Sequence, residues 1–143
     1  MQNMKNNRCL GVWMDHHEAH LMEYSLEQPN MKTIYSGFTS EQRSESLEKG
    51  EKLMHHKENQ MQEQFYKQLG IEMQEYDEVL LFGPTEAKVE LFNLLREMKA
   101  CSHIHFSLRQ AERMTANQQQ AFVKDFFGKP IMHQMLDHQQ HKS

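Results

Sequence analysis

Three short polar segments follow or separate the apolar runs of this chain, and they hold the side chains that could do chemistry. They are Asp15-His16, His55-His56-Lys57, and Gly83-Pro84-Thr85 with Lys88. The first and the third come where a predicted strand ends, and strand ends are where open α/β sheets build their sites. The pattern therefore predicts where a ligand would bind, without naming the ligand.

Asp15 ends the first apolar run, and its carboxylate could hold a divalent metal ion. The imidazoles of His16, His55 and His56 could complete such a site, because carboxylate and imidazole both suit zinc. A two-metal nuclease needs further carboxylates, but Asp77 and Glu78 precede the fourth strand and so lie at its wrong end. The alternative is that Asp15 caps the turn by accepting backbone N–H groups. The residues alone leave the metal question open.

The segment from Gly83 to Lys88 follows an apolar run and begins a predicted helix. The free N–H groups and the dipole of a helix N-terminus favour an anion, and Lys88 adds a positive charge. The spacing of a phosphate-binding Gly-Lys-Ser/Thr loop is absent, and the alternative is a plain turn that starts a helix. His55, His56 and Lys57 could likewise contact a phosphate, or form a solvated charged run.

The bulk composition narrows the function classes. The chain has 143 residues, which predicts one domain, with a net charge of −4 and a mean hydropathy of −0.85. The acidic balance argues against a generally basic nucleic-acid binder, and no apolar run approaches the ~18 residues of a membrane span. Cys9 and Cys101 show no metal spacing or disulfide framework, and residues 1–8 lack an apolar signal region. We therefore expect a cytoplasmic protein without a cofactor and without a membrane or DNA partner.

Apolar periodicity predicts five strands and three helices. The predicted strands cover residues 9–15, 19–25, 31–39, 76–82 and 103–108. The predicted helices cover residues 61–69, which Gly70 ends, 87–98, and 116–127, which Thr115 caps and Gly128 ends. We expect a flexible N-terminus at 1–8, one α/β domain at 9–131 with a polar loop at 40–60, and a polar tail at 132–143.

The order of these elements predicts a single mixed sheet in an α/β fold. Three consecutive strands suggest a meander, and the following crossover should be right-handed and place the fourth strand parallel beside the first. The predicted strand order is then 3-2-1-4-5. In that order Asp15, the segment after Thr39 and Gly83 emerge at the same edge of the sheet, so the three polar segments would meet there.

Several motifs resemble small bacterial proteins labelled as translational-machinery proteins. The motifs are Val12-Trp13-Met14-Asp15-His16 with Glu18-Ala19, His55-His56-Lys57, Phe82-Gly83-Pro84 with Ala87-Lys88 and Glu90-Leu91, and residues 118–127. The resemblance covers about residues 9–128, and these proteins look like a free-standing copy of the central domain of archaeal and eukaryotic peptide-release factors. It implies a ribonuclease H-like α/β fold and a role in translation.

The chain departs from the release-factor pattern between its third strand and its first helix. The release-factor domain carries a Gly-Gly-Gln loop that works at the ribosomal peptidyl-transferase centre, and residues 37–59 hold no such tripeptide. Gln42 lies in Ser-Glu-Gln-Arg instead. The small relatives also tend to have a glycine-rich stretch after the His-His-Lys triplet, and residues 58–63 contain no glycine. We therefore expect binding rather than peptide release by that route.

The leading hypothesis is a non-catalytic protein of the translation apparatus that contacts the ribosome or a tRNA. The contact would use a patch at the strand ends, made of Asp15, His16, His55, His56, Lys57, Gly83, Pro84, Thr85 and Lys88. A metal-dependent phosphoester hydrolase, with Asp15 and the His-His pair as ligands, is one alternative. Another is a protein-interaction module that forms homo-oligomers through the strand at 31–39 or a Met-rich helix.

Overall fold

The computed structural model describes residues 7–25, 30–37 and 51–128, with the backbone alone for residues 51–56. Within these residues the strands are β1 (Cys9–Met14), β2 (Glu18–Glu23), β3 (Met31–Tyr35), β4 (Glu78–Gly83) and β5 (His105–Gln110). The α-helices are α1 (Glu51–Met73), α2 (Ala87–Leu95) and α3 (Ala116–Phe127), and a short 3-10 turn at Lys99–Cys101 precedes β5. The predicted α/β fold and the predicted strand order 3-2-1-4-5 are confirmed.

β1 is the central strand of the sheet. It pairs antiparallel with β2, where Trp13 lies opposite His20, and parallel with β4, where Trp13 lies opposite Phe82. β3 pairs antiparallel with β2, and β5 pairs parallel with β4. β1, β3, β4 and β5 therefore all end at one edge of the sheet, where β2 begins. We call this edge the strand-end edge and the opposite one the strand-start edge.

β1 and β4 are buried on both faces. Their apolar residues from Leu10 to Met14 and from Val79 to Phe82 are at most 2% exposed. A strand covered on both faces needs a continuous apolar run rather than an alternating one. These two runs are the longest of that kind in the predicted strands, which is why the sequence identified both strands.

Helices cover the two faces of the sheet. On one face α1 and α2 pack against the strands, and Phe65, Leu69 and Met73 recur every four residues, so they lie on the side of α1 that faces the core. On the other face α3 contributes Val123 and Phe127. The sheet therefore separates two apolar clusters.

The start of α3 follows the prediction. The Thr115 side chain accepts a hydrogen bond from the Gln118 backbone N–H, and the Gln118 side chain accepts one from the Thr115 N–H. This reciprocal capping satisfies two donors that a helix N-terminus leaves without intrahelical partners. The helix ends at Phe127, and Gly128 follows as predicted.

The start of α1 differs from the prediction. The sequence predicts a polar stretch over residues 40–60 that could be partly helical, and in the structure α1 begins at Glu51 within that stretch. Glutamate, lysine, glutamine and methionine are good helix formers, and adding a turn to a docked helix needs no new nucleus. Residues 38–50, including the predicted end of the third strand, lie outside the described residues.

Gly70 does not end α1, which continues to Met73. A Cβ at Gly70 would lie 2.7 Å from Cδ2 of Leu95 in α2. The glycine is therefore explained by the close approach of two helices and not by a helix stop.

The N-terminal boundary also differs. The Arg8 N–H donates to the Asp77 carboxylate at 2.9 Å, and the Arg8 carbonyl accepts from the N–H groups of Asp77 and Glu78. Arg8, the last residue of the segment predicted to be flexible, is therefore hydrogen-bonded to the segment that leads into β4. Residues 1–6 and 129–143, with the predicted tail, lie outside the described residues. Among the described residues, no helix combines the length and the apolar character that a membrane crossing requires.

Candidate functional site

The strand-end edge brings together four connections of the fold. They are the β1–β2 turn at residues 15–17, the end of β3, the β4–α2 loop at 84–86 and the β5–α3 loop at 111–115. α1 passes the same edge, because the Gln62 side chain donates a hydrogen bond to the His16 carbonyl at 3.1 Å. The strand ends therefore lie together because of the order of the strands in the sheet, and α1 passes beside them.

Asp15 closes the β1–β2 turn. Its Oδ1 accepts hydrogen bonds from the His17 N–H at 2.8 Å and the Glu18 N–H at 3.0 Å. Its Oδ2 lies 3.0 Å from Nη2 of Arg113. Asp15 is only 3% exposed, so both oxygens are held inside the edge by protein partners, as in the capping alternative.

The charge of Asp15 is compensated. Burial by itself would raise the pKa of the Asp15 carboxyl, but the two backbone N–H groups of His17 and Glu18 and the Arg113 guanidinium outweigh it, and the pKa is lowered. Arg113 also lies over the Trp13 ring, 5.8 Å from its centroid. Arg113 was not predicted from the sequence, because a pair formed by the β1–β2 turn and the β5–α3 loop leaves no local spacing signal.

The β4–α2 loop is fixed from within by Lys88. Its Nζ donates to the Gly83 carbonyl at 3.0 Å, to the Thr85 carbonyl at 2.7 Å and to Oε1 of Gln110 at 3.0 Å. Gln110 in turn donates to the Pro84 carbonyl at 3.1 Å. Lys88 is 5% exposed, so its ammonium group is directed into the loop and away from solvent.

His16 belongs to a polar chain that crosses from the turn to the two helices. Its Nε2 lies 3.2 Å from Oε1 of Glu90 in α2. The hydroxyl of Tyr66 in α1 donates to the same oxygen at 2.7 Å. Burial, and after it the neighbouring Glu90 carboxylate, raise the pKa of the Tyr66 phenol well above its usual range. Tyr66 therefore stays a neutral donor that holds Glu90 in place.

A cleft of about 320 Å³ opens beside this polar chain. Its lining residues are all polar and come from the β1–β2 turn, the residue after β3, and the helices α1 and α2. They are His16, His17, Ser36, Glu58, Asn59, Gln62 and Glu90. We call this feature the strand-end cleft. Its described lining residues include two carboxylates and two imidazoles, and none of them is a lysine or an arginine.

The predicted triplet His55-His56-Lys57 lies on α1, before the residues that line the cleft. Gln62, level with the β1–β2 turn, is five residues beyond Lys57, or roughly 7.5 Å along the helix axis at 1.5 Å per residue. The triplet therefore extends past the edge of the sheet. Lys57 is half-buried. For His55 and His56 the structure describes the backbone alone.

A second polar network lies on the other face at the same edge. The His20 ring stacks on Trp13 with 5.2 Å between centroids, and its Nδ1 lies 2.9 Å from Oε1 of Gln119. Gln119 is 2% exposed and donates to the Met114 carbonyl at 3.0 Å. This network joins β1, β2 and α3, and the sequence did not indicate it, because Gln119 resembles any solvent-facing glutamine of an amphipathic helix.

The described residues contain no group of three or more histidine, cysteine, aspartate or glutamate side chains placed to hold one metal ion. His16 and Asp15 are adjacent in sequence, but they take different partners, Glu90 and Arg113. The arrangement offers a cleft with hydrogen-bonding side chains at the strand-end edge, beside the buried side chains of Asp15 and Tyr66.

Comparison with known proteins shows similarity only at the level of structure. No family model matches this chain, and no curated protein gives a significant match. The Pelota protein of Thermoplasma acidophilum is similar, with a TM-score of 0.51 and 15% identity over 78% of this chain and 30% of that one. The archaeal translation termination factor aRF1 is similar, with a TM-score of 0.51 and 14% identity over 93% of this chain and 42% of that one. This chain spans less than half the length of either protein, and the likeness shows a shared fold.

Proposed function

We propose that this chain is a non-catalytic, translation-associated binding protein that contacts the ribosome or a tRNA through its strand-end edge. The observation that carries the proposal is its likeness, over 93% of its residues, to part of a translation termination factor. Two of the motifs that resemble translational-machinery proteins, around Asp15-His16 and from Gly83 to Lys88, end or begin at the strand-end edge. Fold and motifs therefore support the same kind of role.

The groups available for such a contact differ from the predicted set. Lys88 donates its hydrogen bonds within the β4–α2 loop, and Asp15 is enclosed by its partners. His17 and Arg113 are exposed at the edge, and Lys57 is half-buried on α1. A contact to RNA phosphates would use these three side chains, with His55 and His56 as further candidates on α1.

The proposed activity is binding alone. The whole chain contains no Gly-Gly-Gln tripeptide, so nothing in it corresponds to the release-factor loop. Asp15 gives no support to a metal-dependent phosphoester hydrolase, since both of its oxygens already have protein partners. That alternative and the homo-oligomer stay predictions.

The test is sedimentation of the untagged protein with ribosomal particles through a sucrose gradient at rising salt. We expect co-migration at low salt that is lost as salt rises, because phosphate contacts release counterions. Lys57→Glu should weaken co-migration and reduce its salt dependence.

Lys99→Glu is the matched control for this experiment. Lys99 is exposed and precedes β5, so it lies at the strand-start edge and carries the same change of charge. Equal behaviour of the two variants would contradict the proposed contact surface. Wild-type protein that stays at the top of the gradient at every salt concentration would contradict the translation-associated role itself.

A further inference from the structure

The outermost strand β3 has an open side. Its neighbour in the sheet is β2, and among the described residues no strand pairs with β3 on the other side. The Ser36 N–H donates to the His17 carbonyl at 2.8 Å, on the side of β2. The backbone groups of successive strand residues point to opposite sides, so those of Met31, Thr33 and Tyr35 point away from β2. Their N–H and C=O groups can therefore pair with a further strand.

The same three residues form an uncharged surface on the face of the sheet that α3 covers. Met31 packs against the apolar cluster under α3, and Thr33 and Tyr35 follow at alternate positions of the strand. Thr33 is exposed, and Tyr35 is 67% exposed. Lys32, the one charged residue of β3, lies on the other face with its Nζ 3.0 Å from the Glu72 carboxylate of α1. This surface therefore lacks the charges with which outermost strands often prevent pairing.

The other outermost strand, β5, carries such charges. On the same face it has the exposed residues His105 and Arg109, and the Arg109 guanidinium lies 5.1 Å from the centroid of the Phe126 ring. Phe106 and Leu108 alternate with them and pack against the apolar cluster of the opposite face. A charged side chain on an outermost strand opposes pairing with another chain. The two sides of the sheet therefore differ, and β3 is the one suited to accept a strand.

The residue pattern of β3 is complementary to itself. An antiparallel pair with a second copy of β3, symmetric about Thr33, places Tyr35 opposite the partner's Met31. Directly opposed side chains of antiparallel strands contact each other, and an aromatic ring and a thioether attract. Lys32 then lies opposite the partner's Ile34 and not opposite a second lysine, so like charges do not oppose each other. The three outward-pointing residues of each strand would form about six backbone hydrogen bonds across the pair.

We propose that two copies of this chain bind each other through β3 and form a twofold-symmetric dimer. The five-stranded sheet of each copy then continues into that of the other, and a closed pair of identical surfaces stops at two copies. The five residues of β3 are fewer than the roughly 20–30 that each partner contributes to a standard interface. We therefore expect a weak dimer with a dissociation constant of roughly 10–100 μM. The inference goes beyond the proposed function, because it assigns a second contact surface.

The experiment measures the mass of the untagged full chain by sedimentation-velocity ultracentrifugation, from about 5 μM to about 500 μM, a range that spans the expected dissociation constant. We expect monomer at the lowest concentration and dimer at the highest. Thr33→Lys and Thr33→Glu each place a charge opposite itself across the twofold axis, and each should raise the dissociation constant by about tenfold. An equimolar mixture of the two variants should dimerise again, because the opposed charges then differ in sign.

Ser107→Lys is the matched control, because Ser107 lies on the same face of β5 and the change adds the same charge to the other outermost strand. It should leave the dimer unchanged, and thermal melting establishes that all variants are folded. The inference is overturned if the wild type stays a monomer at every concentration, or if Thr33→Lys dimerises as the wild type does. It is overturned as well if the mixture stays monomeric or if Ser107→Lys has the same effect as Thr33→Lys. Assemblies larger than a dimer would also contradict it, since they require two different contact surfaces on each copy.

The dimer and the proposed function can fail separately. In the antiparallel dimer the strand-end edges of the two copies face opposite directions, so each remains available for the proposed translation contact. A chain that dimerises and does not migrate with ribosomal particles contradicts the proposed function alone. A chain that migrates with them and stays a monomer at every concentration contradicts the dimer alone.

Discussion

The two edges of the sheet carry the same pair of groups, a glutamate that accepts a hydrogen bond from a tyrosine hydroxyl. At the strand-start edge Arg8 completes the pair of Glu23 and Tyr76. At the strand-end edge Glu90 and Tyr66 are joined by His16, and within the described part of the chain no arginine or lysine pairs with Glu90. The first edge is closed by its own residues, whereas the second leaves a cleft.

We expect this difference to separate residues that stabilise the fold from residues that are available for binding. Arg8 also reaches Glu75 at 3.0 Å, so the closed edge fixes the start of β1 to the end of β2 and to the segment before β4. Burial and the neighbouring Glu23 raise the pKa of Tyr76 to about 12. Changes at the closed edge should therefore alter the free energy of unfolding, and changes at the cleft should alter binding.

The largest effect on the free energy of unfolding is expected at Gly83, where the backbone of β4 approaches the backbone of β1 at the strand-end edge. A Cβ on Gly83 would clash with the carbonyl oxygen of Met14, and a backbone atom of the central strand cannot move aside. We expect Gly83→Ala to lower the free energy of unfolding by about 3 kcal/mol, measured by urea denaturation. Pro84→Ala is the control, with a loss below about 1 kcal/mol, and equal losses would mean that the loop and not the close contact is responsible.

The second-largest loss in the free energy of unfolding is expected for Asp15→Ala, because this change removes charge-assisted hydrogen bonds from a buried turn. We expect a loss of about 2 kcal/mol near neutral pH. The pKa of Asp15 is lowered in the folded state, so its stabilisation is complete above the ordinary aspartate pKa of about 3.9 and is lost as the pH falls through the folded-state value. Urea denaturation of Asp15→Asn and the wild type at falling pH tests the sign, and a difference that grows in acid would contradict it.

Arg8→Met tests the closed edge. The side chains of Arg8 and Glu23 are 40% and 44% exposed, and solvent reduces the strength of such pairs. We expect a loss of about 1 kcal/mol in chemical denaturation, with a smaller loss at high salt. Arg96→Met is the control, since Arg96 is exposed and lies over the Phe92 ring. If both variants lost the same stability, the network at the strand-start edge would have no special role.

The smallest effect on stability is expected at the cleft. Glu90→Gln keeps the acceptor for the Tyr66 hydroxyl, and the Glu90 side chain is 49% exposed, so the free energy of unfolding should change by no more than about 0.5 kcal/mol. A large loss of stability would show that both edges serve mainly to hold the fold.

The sheet was predictable from the sequence because its signals are local. Continuous apolar runs marked β1 and β4, and the right-handed crossover then left one sensible order for the strands. The start of α1 at Glu51 was not predicted, because residues 51–60 show no apolar stripe from which a helix start could be located. Gly70 was misread, since the approach of Leu95 from α2 is a tertiary contact.

The candidate site was predictable only in its location. Sheet order was enough to place Asp15, His16 and Gly83 at one edge. The partners that determine the chemistry, Arg113 on Asp15 and Glu90 on His16, come from distant segments. Such pairs depend on how loops and helices settle on the sheet, and a single sequence carries no periodicity that reports them.

The position of β1 in the sheet has a consequence for the newly made chain. β1 and β2 are joined by a short turn and can pair at once, but β4, the other neighbour of β1, is synthesised only after the whole of α1. Until then one side of the most apolar strand has no partner, and an unpaired strand edge invites pairing with other chains. The emerging protein therefore passes through a period of aggregation risk that ends when β4 takes its place.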